Sequence, residues 1–206
     1  MKQKWIALAV LGAMLVQVAP ISSMTAAALE TTAISDATAT DAVLLKYNKH
    51  DTYVEITGFR ADETDIVLPD TIDGLPVTTI QEGAFFSSQL TSIYIPESVT
   101  QIGGIAFQAC ADLQRIEVDE HNPAYTSVDG VLYDKEEKIL YAYPNALAEN
   151  ENTLKSSYSV PDGVETIAQG VFFYNQSLTN LTLPHSIQVL EADAFSDTAL
   201  RDIYYD

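Results

Sequence analysis

Ile93-Tyr94-Ile95-Pro96, followed by Ile102, Ala106-Phe107 and Leu113, decides the fold of this chain, because the same phrase returns as Leu181-Thr182-Leu183-Pro184, Leu190, Ala194-Phe195 and Leu200. The interval from proline to phenylalanine is eleven residues in three copies: Pro96 to Phe107, Pro161 to Phe172 and Pro184 to Phe195. In a fourth, Pro69 to Phe85, it is sixteen, because Asp73-Gly74-Leu75-Pro76 is inserted. Apolar residues two apart in each strand point to one face, and proline, with no N–H for the ladder, ends the strand. The small-Phe pair that follows is expected on a tight helical or 3₁₀ turn across the convex side. Leu90, Leu113, Leu178 and Leu200 then bring the chain back to the next strand. A period near 23 residues, as from Pro161 to Pro184, with apolar residues at fixed offsets specifies a solenoid. Each repeat is one coil that cannot bury its apolar face alone.

Two stretches depart from the repeat. Val43 to Tyr47 and Tyr53 to Thr57 are β-prone runs around the polar break Asn48 to Asp51; they predict a hairpin, placed to cap the first coil. Between Ile116-Glu117-Val118 and Val160-Pro161 the chain holds about twice the residues of one coil. There Val128 to Tyr133, a charged turn at Asp134 to Lys138 and Ile139 to Pro144 predict a second hairpin that projects from the solenoid or extends its sheet. Asp202-Ile203-Tyr204-Tyr205-Asp206 starts a further strand with nothing after it to cover its edge. Such an edge invites pairing with another chain, so self-association, or a shortened member of a longer repeat series, is expected there.

These motifs carry a resemblance. The pattern I-x-I-P, then I, AF, a cysteine at Cys110 and L-x-x-I, with Asp129-Gly130-Val131-Leu132-Tyr133 and the opening Glu55-Ile56-Thr57-Gly58-Phe59, resembles the BspA-like leucine-rich repeats of bacterial surface proteins over residues 43 to 206. The resemblance implies a β-rich leucine-rich-repeat solenoid with short helical or 3₁₀ turns. It further implies a secreted or surface-attached protein, some relatives of which bind host matrix proteins or other microbes. Specificity in such a scaffold belongs to variable surface residues, not to the repeat itself.

The N-terminus agrees with export. Lys2 and Lys4 precede an apolar run from Trp5 to Val18, and Thr25-Ala26-Ala27-Ala28 supplies small residues for cleavage, the layout of a signal peptide. That run is too short for a comfortable membrane span, although uncleaved it would serve as an anchor. The expected organisation is a signal peptide at 1–28, a flexible Thr/Ala-rich lead-in at 29–42 and the repeat domain at 43–206. The chain carries 10 basic and 29 acidic residues. Without Lys2 and Lys4 the balance is 8 against 29, or −21, which repels phosphate backbones and argues against nucleic acid. The acids are scattered, as on a solvated surface.

Reactive chemistry is sparse. Cys110 is the sole cysteine, so no internal disulfide can form. It stands in the repeat framework where a small inward side chain is wanted, and a core role is expected rather than a nucleophile's. His50, His121 and His185 lie far apart, and none is at metal-ligand spacing to another histidine or cysteine. No G-x-S-x-G elbow, H-E-x-x-H pair, P-loop or calcium-loop pattern is present. Neither an enzyme, a metal nor a cofactor is expected. Asn175-Gln176-Ser177 and Asn180-Leu181-Thr182 match the glycosylation tripeptide, which is common by chance.

The outward strand face is the candidate site. With the Ile93 and Ile95 type inward, Val67, Tyr94, Glu117, Ser159, Thr182 and Tyr204 face out. Stacking would align them in one column about 25 Å long, with strands about 4.8 Å apart. Arg115, Asn180 and Asp202 lie beside it. Tyr94, Arg115, Glu117, Asn180, Thr182 and Tyr204 are therefore the expected ligand-binding residues, tyrosine and arginine being enriched at interface hot spots. The reading is a secreted, non-catalytic recognition protein for an extracellular protein or glycan. The alternative is a self-assembling structural component acting through its C-terminal edge.

Overall fold

A computed structural model describes residues 39–60, 63–150 and 153–206; the expected signal peptide and most of the lead-in lie outside the described residues. The chain winds as a β-solenoid. β1 (Leu45–Lys49) and β2 (Val54–Phe59) form the antiparallel N-terminal hairpin, with a shift in register between Lys46 and Tyr47. Asp41 precedes it, its carboxylate accepting from the Val43 N–H to start a 3₁₀ turn at Ala42–Leu44. β3 (Asp65–Val67) leads to Pro69 and a small hairpin, β4 (Thr71–Ile72) with β5 (Leu75–Ile80), which is the insertion that lengthens this repeat. Then come β6 (Ser92–Ile95), β7 (Gln101–Ile102) and β8 (Arg115–Val118). Alternation in these strands is realised as burial: Ile66, Ile93, Ile95 and Ile116 are at most 1% exposed while Val67, Tyr94 and Glu117 are half-buried on the other face.

The long unit differs from expectation. Val128 to Tyr133 is not one strand: β9 (Tyr125–Val128) and β10 (Val131–Asp134) pair across a turn at Asp129-Gly130, where both residues have positive φ, 51° and 79°. Asp-Gly at those angles is the favoured two-residue hairpin turn. β11 (Ile139–Ala142) completes a meander and extends the sheet by pairing parallel with β15 (Thr166–Ile167), which in turn pairs with β17 (Val189–Leu190). β12 (Ala148–Asn150) and β13 (Thr153–Leu154) make a small ribbon. β14 (Ser157–Ser159), β16 (Asn180–Leu183) and β18 (Asp202–Tyr205) form a parallel sheet.

The turns that carry the small-Phe pairs are a second correction: they are successive tight turns, not helices. Positive φ recurs four residues apart, at Gly83 and Ser87, Ile105 and Ala109, Gly170 and Tyr174, and Asp193 and Asp197. A left-handed residue every fourth position cannot sit in a right-handed helix. The ribbon instead bonds alternately to itself and to the next coil. Phe86 N–H donates to Gly83 O within the turn, while Gly83, Phe85 and Ser87 N–H donate to Gly104, Ala106 and Gln108 O of the following coil. Phe85 and Phe107 stack with centroids 5.6 Å apart, and Phe172 and Phe195 stack at 5.7 Å. Between those pairs the stack is interrupted, and Tyr143 approaches Phe172 at 5.2 Å instead.

Candidate recognition surface

The strand face consists of two banks. In the first, parallel register sets Val67, Tyr94 and Glu117 in one row and Asp65, Ser92 and Arg115 in the next. In the second, Ser159, Thr182 and Tyr204 make one row and Ser157, Asn180 and Asp202 another. Six residues in a single column were expected; two stacks of three are found. β8 and β14 do not pair, because the meander occupies that place: Ile116 N–H donates to Gly130 O at 2.9 Å. The strand pattern returns at Ser157–Ser159 after the long unit, and its return does not show from sequence which strand lies beside it.

Each bank is held by its own hydrogen bonds. Tyr94 Oη donates to Asp119 Oδ2 at 2.6 Å, and Asp119 Oδ1 accepts from the His121 N–H at 2.8 Å. The Tyr94 and His121 bonds hold the Asp119 carboxyl below its usual range, and burial together with the Asp119 bond pushes the Tyr94 phenol up. Burial opposes ionisation of Asp65, but bonds from Ser92, Thr91 and Thr64, with the Arg115 charge nearby, more than offset it and leave the carboxyl lowered. Arg115 is half-buried, and its Nε is buried without a hydrogen-bond partner. Gly130 lies against it; a Cβ there would stand 3.0 Å from Arg115 Cβ. In the second bank Asn180 Nδ2 donates to Thr179 Oγ1 at 3.0 Å and to Ser157 Oγ at 3.3 Å. Thr182 is half-buried, whereas Tyr204 is 56% exposed.

Between the banks, Tyr133 of β10 and Tyr158 of β14 join hydroxyl to hydroxyl. Burial pushes the Tyr133 phenol up to about 12 and raises Tyr158 further. A recess of about 210 Å³ opens beside them, lined also by Asp129, Lys155, Ser157 and Ser159. This tyrosine pair was missed at the sequence level because β10 and β14 are separated by a ribbon and meet only in three dimensions.

The remaining singled-out residues are structural. Cys110 is 0% exposed, with Sγ 3.0 Å from Phe85 O, and burial raises its thiol. Asn175, also 0% exposed, accepts with Oδ1 from the Ser177 and Leu178 N–H groups, a turn role that leaves no room for a glycan. Asn122 does similar work, donating from Nδ2 to Pro96 and Val99 O and accepting at Oδ1 from Ala124 and Tyr125 N–H. His50 stacks on Tyr53, His121 lies beside Asp119, and His185 lies near Tyr205. Among the described residues no cluster of His, Cys, Asp or Glu could hold a metal ion, and no helix is long and apolar enough to cross a membrane.

Comparison places this geometry among known proteins. The family model described as BspA type leucine-rich repeat region matches residues 63–129 and 143–206 in six copies. Among solved structures, a leucine-rich repeat protein from Eubacterium ventriosum is 20% identical, with 69% of this chain and 54% of that chain covered and a TM-score of 0.51. The pneumococcal vaccine antigen PcpA is 21% identical over 72% of this chain and 54% of its own, with a TM-score of 0.42. A leucine-rich repeat protein of T. pallidum is 26% identical over 81% of this chain and 71% of its own, with a TM-score of 0.48. The chain thus spans about half the length of the first two. No curated protein matches it.

Proposed function

From the chain's membership of the BspA-type leucine-rich repeat family, we propose that it is a secreted or surface-associated recognition protein that binds an extracellular protein or glycan through its strand face, without catalysis. The observation that supports this reading is the pair of banks. Each presents hydrogen-bonding and aromatic side chains on a rigid parallel sheet: Tyr94, Arg115 and Glu117 on one, Asn180, Thr182 and Tyr204 on the other. A partner that engages both must be extended, because the Tyr133 and Tyr158 recess lies between them. Because main-chain ladders already fix the backbone and the spacing of these rows, binding needs no backbone ordering, which favours them as anchors.

The test is a binding screen of the secreted chain on arrays of matrix proteins and glycans, with a Tyr94→Ala/Tyr204→Ala variant whose circular dichroism is unchanged. Retention by the wild type and at least a tenfold loss in the variant is expected. A second reading, a self-assembling structural component, draws on the exposed apolar side chains of β18, where Ile203, Tyr204 and Tyr205 are 51%, 56% and 62% exposed. Concentration-dependent self-association with no array binding would favour that structural role.

A further inference from the structure

A break in the turn ribbon makes a second site, away from the strand face. Gly83, Phe85 and Ser87 N–H donate to Gly104, Ala106 and Gln108 O, and Gly170, Phe172 and Tyr174 N–H donate to Ala192, Ala194 and Ser196 O. By the same spacing, Ile105, Phe107 and Ala109 N–H would donate to Gln169, Val171 and Phe173 O. Among the described residues no backbone hydrogen bond crosses there. Ile105 and Ala109 share the positive φ of Gly83 and Ser87, so their turn has the same conformation and its N–H groups face the parted wall.

What parts the two turns is the long unit. Pro144 to Leu147 is wedged in: Ala146 N–H donates to Leu113 O at 2.7 Å, and Asn145 Nδ2 donates to Phe173 O at 3.4 Å. Gln108 Nε2 donates across to Gln169 O at 3.0 Å, lying over Gly170, where any Cβ would stand 1.6 Å from that nitrogen. Side-chain amides thus serve two of the three acceptors on one wall, while the donor wall stays unserved by protein. The space between is a cavity of about 240 Å³.

Its chemistry is selective. Phe107, Tyr141, Tyr143 and Phe173 are its aromatic residues, Gln108, Asn145 and Gln169 its amides, and Glu191 the one carboxylate residue of the lining. No lysine, arginine or histidine lines it, so it has no cation for a phosphate or a carboxylate ligand. A ligand there must accept from main-chain N–H groups, donate to Val171 O and to the Glu191 carboxylate, which already accepts from the Gln169 N–H at 2.9 Å, and lay an apolar face on a ring. The volume is below that of drug-sized pockets. Hydroxyl groups both donate and accept, and a pyranose offers several around a ring whose C–H face is apolar. We propose that the notch binds one neutral pyranose unit, free or at the end of a glycan.

Gly104 gives a clean block. Its Cβ position would meet only Gln169 Oε1, at 3.7 Å, and its φ is ordinary, so Gly104→Leu fills the mouth without straining the turn. Calorimetry and amide chemical-shift mapping would be run on the full chain with D-glucose, D-galactose, D-mannose and N-acetyl-D-glucosamine, and with cellotetraose and chitotetraose. At least one sugar should bind with a millimolar or tighter Kd, with shifts confined to residues near 102–108, 141–145 and 168–173. Gly104→Leu should lose at least tenfold in affinity at unchanged thermal midpoint, and Tyr94→Ala/Tyr204→Ala should lose none. Tighter binding of a tetrasaccharide than of its monomer identifies a glycan end; equal binding identifies the free sugar. No binding by the panel, shifts on the strand face, or undiminished binding by Gly104→Leu overturns the proposal. The strand-face reading stands or falls separately, because Gly104→Leu leaves that face intact.

Discussion

At the residue scale, the turn ribbon demands left-handed backbone at places where the sequence supplies side chains. Gly83 and Gly170 meet that demand without steric strain, but Ile105 and Ala109 hold φ of 54° and 57°. An L-residue there is strained by about 1–2 kcal/mol, against roughly 0.5–1 kcal/mol for the extra entropy a glycine loses. Ala109→Gly should therefore raise stability by about 0.5 kcal/mol. Ala194, buried at an ordinary φ in the last turn, between Asp193 and Asp197, should show the usual sign, with Ala194→Gly losing about 1 kcal/mol. Urea midpoints of the two variants read the contrast directly, and losses in both would show that the left-handed turn carries no strain. This device was half legible: glycine before the small-Phe pair signals it at Gly83 and Gly170, while at Ile105 the glycines stand one and two positions earlier and hide it.

At the scale of elements, coil spacing is set by how closely backbones approach. A Cβ on Gly103 would fall 2.3 Å from Glu82 N and 2.5 Å from Glu82 Cα, so neither side can yield by turning a side chain. Gly103→Ala should cost about 2–3 kcal/mol, at the upper end of overpacking effects, while Gly104→Ala stays within about 0.5 kcal/mol. Equal denaturation midpoints for these two neighbours would refute the close approach. The repeats themselves were readable because proline, phenylalanine and leucine return at fixed intervals. The hairpin turn within Val128 to Tyr133 was also available, since Asp129-Gly130 is a strong turn signal, yet β-prone residues on both sides made one run of it. Tight helical or 3₁₀ turns were expected to carry the small-Phe pairs; alternating handedness, a property of φ and not of residue type, excludes helices there.

At the scale of the whole molecule, the long unit divides almost every stack. The strand face, the phenylalanine column and the turn ribbon each run in two parts, and the core follows, with Leu113 and Ile116 in one cluster and Val131, Tyr133 and Phe172 in the other. A period read from sequence cannot show this, because an inserted meander changes which coils touch without altering the coils. Tyr133, Tyr143 and Tyr158 sit at that junction, all three phenols raised by burial. The sign of the pH dependence follows. A phenol whose pKa rises on folding stabilises the native state fully below its unfolded value near 10, and that contribution is lost as pH climbs toward the folded value. For Tyr133, with a folded value of about 12, the loss amounts to about 3 kcal/mol once titration is complete. At the acid end Asp119 and Asp65, both lowered, stabilise above the unfolded carboxyl range and lose that contribution as pH falls below about 4. Urea midpoints should therefore hold a plateau between about pH 5 and 9 and fall steeply from pH 10 to 12. Tyr133→Phe should make the alkaline limb shallower by one phenol's share, with Tyr143, Tyr158 and Tyr94 supplying the slope that remains, and leave the acid limb unchanged, since it removes one ionising group at the junction while keeping the ring that fills it. An alkaline limb of the same steepness in Tyr133→Phe would mean that burial at the junction does not raise the Tyr133 phenol.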